Sequence, residues 1–185
     1  MTERKLDPFV DYLQGLARSE NRAALAALRQ GFNNPLRALP YVAPFFSERG
    51  GRAAVDNLIL LGGLFSLHPE TGAMSLASAM RRIAEERKSD SIELRFRGLL
   101  DCDREDLPDH LRHAVSLAAG AEVPIDFDDL LRAIRAWNHE SRFVQRAWAR
   151  QYWSTYSNTA GSDPSSEPSS DATPESIPAT LSSEN

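Results

Sequence analysis

The chain has a single cysteine, Cys102, among 185 residues. No intrachain disulfide can form, which fits a reducing compartment. The simplest role for Cys102 is a small side chain near a helix end. Long apolar runs are also missing. The longest, LILLGGLF from Leu58 to Phe65, falls far short of the roughly 20 residues that cross a bilayer. The opening MTERKLDPFV lacks the apolar core of a secretion signal. These absences predict a cytoplasmic protein without membrane attachment. A positive net charge is missing as well. The formal charge is −5, so the overall composition lacks the basic footprint of many nucleic-acid binders.

The average hides an uneven distribution. Residues 157–185 hold five acids (Asp163, Glu167, Asp171, Glu175 and Glu184) and no Lys or Arg. Subtracting them from the chain's 26 acids leaves 21 acidic and 21 basic residues before them. Residues 1–156 are therefore neutral, and local patches decide the partner. The Ser, Pro, Thr and acid content of 157–185 cannot bury enough apolar surface to offset chain entropy. This segment is expected to be a disordered tail. Its simplest role is a solubilising extension.

Apolar residues in 1–156 recur at spacings of three and four, and strict alternation is scarce. The prediction is an all-α protein, a compact helical bundle. A point of division into two small lobes is expected near 101–107, where acids and Pro108 interrupt the pattern. A first helix begins at Asp7-Pro8 and a second covers Ser19 to about Gln30, stopping at Gly31. Pro35, Pro40 and Pro44 predict turns and helix fragments between Asn33 and Gly51. A buried helix follows from about Ala53 to Leu67. Ser75 caps the next, and Asp90 with Glu93 resembles a capping box for another. Further helices are expected from near Asp106 to Gly120, after the cap Asp126, and from near Asn138 onward.

No catalytic pattern emerges. DCDREDLPD is dense in acids but lacks the glycine and terminal glutamate of a calcium loop. Helix termination followed by capping explains it better. His110 and His113 lie one turn apart with Asp106 before them, yet no second ligand pair stands at metal spacing. GGLFSLHPETG lacks the Lys-Ser/Thr ending of a phosphate loop. No serine sits in a nucleophile elbow. The chain is expected to have no enzymatic activity, no cofactor and no metal.

The arginines separate by their neighbours. Arg81 and Arg82 precede Glu85 and Glu86 by four residues, Arg97 follows Glu93 by four, and Arg132 follows Asp128 by four. Such pairs share a helix face and cancel part of each other's field. RFVQRAWARQYW, from Arg142 to Trp153, differs. On one helix, Arg142, Arg146 and Arg150 fall at about 0°, 40° and 80°, with Val144, Trp148 and Tyr152 roughly opposite. Successive arginines rise about 6 Å along the axis, a spacing that suits the phosphates of one strand. The ring-rich stripe reads as core. Trp153, at about 20°, falls on the basic side, where it would stack on a base or pack under an arginine. Arg18, Arg22 and Arg29 form a weaker stripe, provided one helix runs through them.

The text from Ser91 onward is more specific than its charges. SIELRFRGLLDCDREDLPDHLRHAVSLAAGAEVPIDFDDLLRAIRAWNHESRFVQRAWARQYW closely resembles the CasB family, the small subunit of Cascade, the type I-E CRISPR surveillance complex. Upstream, FVDYLQGL, NRAALAALRQG, LPYVAPFF and LFSLHPETGAMSLASAMRRI fit the same family in order. The resemblance spans nearly all of residues 6–153. Two departures are Ala77, where relatives often have glycine, and the acidic tail.

The resemblance implies an all-helical, non-catalytic subunit present in two copies beside the other Cascade subunits. It implies contacts with the guide RNA–target DNA hybrid and the displaced DNA strand. Guide pairing reads the sequence in such complexes, so the protein needs only backbone contacts. Carried over by position, the candidate nucleic-acid-binding residues are Arg22, Arg29, Arg81, Arg82, Arg142, Arg146 and Arg150. The alternative is a helical adaptor that binds only protein, its arginines meeting carboxylates. No recognition-helix signature supports a helix-turn-helix regulator.

Overall fold

A computed structural model describes residues 6–46 and 50–154. The expected disorder of 157–185 lies outside the described residues. Among these residues there are nine α-helices: α1 Pro8–Arg18, α2 Arg22–Gln30, α3 Pro35–Val42, α4 Gly51–Leu67, α5 Leu76–Arg87, α6 Asp90–Asp101, α7 Leu107–Gly120, α8 Phe127–Arg135 and α9 Phe143–Trp153. One 3₁₀ turn, Ala43–Phe45, follows α3. No strand occurs among the described residues; Thr71 and Ile125 form an isolated parallel bridge. The all-α expectation is met.

Several helix starts follow from local chemistry. The Asp7 carboxylate accepts from the Phe9 N–H, Ser75 Oγ from the Ser78 N–H, and Asp126 Oδ1 from the Asp129 N–H. Each satisfies a donor that the first helical turn leaves open. Other boundaries differ from expectation. The second helix starts at Arg22, because Ser19 closes α1 and Glu20 takes a left-handed φ of 52° before the Asn21 cap. The proline-rich segment contains a whole helix, α3, with Pro40 inside it. The carbonyl that Pro40 leaves without a donor belongs to the exposed Leu36, where water reaches it. Asp90 and Glu93 form no capping box. Ser89 is the N-cap without a side-chain bond, and Glu93 turns instead to Arg97 at 2.7 Å.

The buried apolar side chains form one core cluster. α4 is its spine: Leu58, Leu60, Leu61, Leu64 and Phe65 are all buried. It packs against α1, α2, α3, α7 and α8, while α5 packs against α6, α7 and α9. α6 and α7, on either side of residues 101–107, contact each other. Arg104 in that connection donates to Asn57 of α4. Close helix approach is visible at Gly31. A Cβ there would lie 2.8 Å from the Leu28 carbonyl oxygen and 2.9 Å from Ala38 Cβ.

Candidate nucleic-acid interface

The final helix is shorter than its periodicity suggests. Asn138 to Ser141 stay outside it. The Ser141 N–H donates to His139 Nδ1 at 3.2 Å, and the Arg142 N–H donates to the His139 carbonyl at 2.7 Å. Arg142 then adopts φ 47° and ψ 37° as the residue before α9. It therefore leaves the helical stripe on which its spacing had placed it. Its guanidinium donates to the Leu100 carbonyl at 2.5 Å. That carbonyl lies at the C-terminal end of α6, where the helix dipole favours a cation. The bond fixes the head of Arg142 without neutralising it.

Arg146 and Arg150 do lie on α9, one turn apart, and both are exposed. Neither makes an ion pair or a side-chain hydrogen bond among the described residues. On the opposite arc Val144, Trp148 and Tyr152 are buried, as expected. Trp148 meets Trp137 edge to face at 5.4 Å, and Tyr152 stacks on Phe96 at 4.2 Å. These contacts set the rotation of the helix and so aim the arginines at solvent.

Trp153 is held by protein. Its ring meets Phe96 edge to face at 5.5 Å, and the Arg97 guanidinium lies 5.6 Å from its centroid. Its indole N–H makes a long contact to Glu93 Oε1 at 3.4 Å. The Arg97 hydrogen bond, helped by this indole, holds the Glu93 carboxyl below its ordinary range against the opposing effect of burial. Of the two roles expected for Trp153, packing under an arginine is the one observed.

The exposed ring on α9 is Phe143, 45% accessible. It was missed in the sequence, although the same helical wheel puts it at about 100°, next to Arg150. Extending the stripe by one position would have found it. Beside it, between α8 and α9, lies a groove of about 370 Å³ lined in part by Ala133, Ala136, Ala147 and Trp148.

The remaining candidates differ in charge. Arg81 pairs with Glu85 at 2.8 Å and Arg82 with Glu86 at 2.7 Å, as their spacing predicts. Arg97 and Arg132 likewise pair with Glu93 and Asp128. On α2, Arg22 is exposed, while Arg29 donates to the Ser66 carbonyl at 2.5 Å. The turn at Ser19 and Glu20 removes Arg18 from their helix, and its guanidinium lies 3.9 Å from Asp11.

His110 and His113 line a second groove of about 470 Å³ with Leu94, Arg95 and Gly98. Among the described residues no group of three or more His, Cys, Asp or Glu could hold a metal ion. Burial, with Asp106 and Asp103 nearby, pushes the Cys102 thiol up to about 11. Its sulfur sits 3.2 Å from the Leu99 carbonyl at the end of α6. No helix among the described residues is long and apolar enough to cross a membrane.

Comparison with known proteins gives this surface a context. The family profile described as CRISPR-associated protein Cse2 matches residues 24–153. A CRISPR-associated protein Cse2 from Thermus thermophilus is 31% identical over 157 residues, covering 80% of this chain and 91% of its own. The crystal structure of CasB from Thermus thermophilus superposes with a TM-score of 0.69 at 33% identity, covering 79% of this chain and 96% of that one. A chain of a CRISPR RNA-guided surveillance complex superposes with a TM-score of 0.62 at 25% identity, covering 82% and 94% respectively.

Proposed function

The chain belongs to the Cse2 (CasB) family, and from that premise we propose that it is the non-catalytic small subunit of a Cascade-type CRISPR RNA-guided surveillance complex. In this role it steadies the guide RNA–target DNA hybrid and the displaced DNA strand through contacts to the backbone. Its partners are the other Cascade subunits and a second copy of itself. The observation that carries the reading is the pair Arg146 and Arg150. They are exposed, one turn apart, and unneutralised among the described residues, on a helix whose other face is locked in the core. Phosphates supply affinity without sequence information, which suits a subunit whose complex reads sequence by pairing.

Arg142 adds its charge from a fixed position beside α6. Arg22 and Arg29 on α2 form a second candidate contact. Arg81 and Arg82 form a third, weakened by their glutamate partners.

The test is a titration of single-stranded oligonucleotide at several salt concentrations. Replacing Arg146 and Arg150 by Ala is expected to lower the log–log salt slope by about 1.4, from two phosphate contacts at ~0.7 each. An unchanged slope in the folded variant contradicts the assignment. A retained complex with the other subunits but no salt-dependent oligonucleotide affinity favours the protein-only adaptor.

A further inference from the structure

We propose that Phe143 and the groove beside it form a nucleobase subsite, in which one base of a single strand stacks while Arg146 and Arg150 hold the adjacent phosphates. The inference rests on the strand-binding reading above and adds a ligand contact to it.

Three observations converge. First, Phe143 is 45% exposed although it opens a helix whose other large rings pack against protein. The His139 ring meets it at 5.0 Å and 73°, so it is positioned rather than loose. A lone exposed ring is ordinary, and Phe143 becomes informative through what surrounds it.

Second, the groove of about 370 Å³ next to it has three alanines in its lining. Ala133 on α8 and Ala136 just past its end line the recess with Ala147 on α9, and Trp148 is part of the same lining. Its size falls within the roughly 300–1,000 Å³ of small-molecule sites.

Third, both arginines lie to one side of the ring, with the groove on its other side. On α9, Arg146 lies about 60° around and about 4.5 Å above Phe143, while Arg150 lies about 20° around and about 10 Å above it. A strand whose phosphates follow the two arginines brings its bases alongside the ring. Of the acids near the groove, Asp129 is already paired with Arg132 at 3.3 Å. Glu140, exposed in the turn before α9, would oppose a phosphate brought near it. Stacking of this kind tolerates any base, because each has a π-face. The subsite therefore keeps the sequence independence of the proposed function.

The experiment uses the full chain and a single-stranded oligonucleotide carrying 2-aminopurine, read by anisotropy and by quenching of the probe. Phe143→Leu keeps an apolar side chain of similar bulk at a partly exposed position, and a melting curve checks its fold. The expected result is quenching by the unaltered protein. Phe143→Leu should lose it, together with about tenfold in affinity, while the salt slope stays the same. Phe143→Tyr should restore both. If Phe143→Leu binds and quenches as the unaltered protein does, while the Arg146/Arg150 variant loses salt slope, the subsite is overturned and the strand-binding reading stands. If neither variant changes anything, both fall. If Phe143→Leu weakens only co-purification with the other subunits, the groove is a subunit contact and the nucleobase subsite is overturned.

Discussion

Arg142 shows how far a single residue can depart from the pattern around it. Its spacing to Arg146 and Arg150 is regular, and a wheel drawn from sequence puts all three on one stripe. The left-handed backbone at φ 47° keeps Arg142 outside α9, and its guanidinium reaches the Leu100 carbonyl. The turn is held locally by His139, through the Ser141 and Arg142 N–H groups, but the partner of the guanidinium lies on α6 and no local spacing announces it. A left-handed L-residue costs about 1–2 kcal/mol. The charge-assisted bond to the carbonyl offsets a similar amount. Arg142→Ala keeps the strain and loses the bond, whereas Arg142→Gly loses the bond and relieves the strain. Thermal unfolding should therefore find the glycine variant more stable than the alanine variant by about 1 kcal/mol. The opposite order would show that the backbone at this position carries no strain. Trp153 was ambiguous for a related reason. The wheel contains no information about Phe96, Glu93 or Arg97 on α6, which hold its ring.

Among the elements, helix starts were legible where the capping bond is local. Asp7, Ser75 and Asp126 sit within three residues of the N–H groups they accept from. Asp90 and Glu93 had the same local signal and failed, since Arg97 in the next turn binds the Glu93 carboxylate. The two arms of the contest are thus a cap against an i,i+4 ion pair, and propensity alone does not choose. Asp7 is the cap with the widest reach. Its carboxylate also binds Arg135 in the last turn of α8 at 2.8 Å, and its N–H donates to Asp128 Oδ1 at 2.9 Å. It joins α1 to α8. Asp7→Asn keeps the cap and loses the ion pair, so its cost should stay below about 1 kcal/mol. Asp7→Ala loses both and should cost about 1 kcal/mol more, measured by denaturant unfolding. Equal stability of the two variants would mean that the cap does not hold α1 in place.

At the scale of the whole molecule, charge and fold give different views of the same surface. The net charge of −5 argues against a polyanion partner, yet the acid surplus belongs to residues 157–185 and leaves 1–156 balanced. Within that balance the structure separates arginines by fate. Some pair along their own helix, as Arg81 and Arg82 do; Arg29 and Arg142 bind carbonyls of neighbouring helices. Arg146 and Arg150 do neither among the described residues. Pairing within a helix was readable from spacing. Ties to carbonyls were not, because they depend on how α2 lies on α4 and α9 on α6. The family resemblance was carried by the order of motifs, which no single stripe of charge could supply. The central claim, that the α9 arginines hold a nucleic-acid strand, is tested most directly in the assembled complex. The chain would be co-expressed with the other Cascade subunits and a guide RNA, with Arg142, Arg146 and Arg150 either intact or replaced together by Ala. Opening of a target duplex would then be measured. The account predicts that the variant assembles but no longer holds the duplex open. A variant that assembles and opens the duplex as well as the unaltered protein would contradict it.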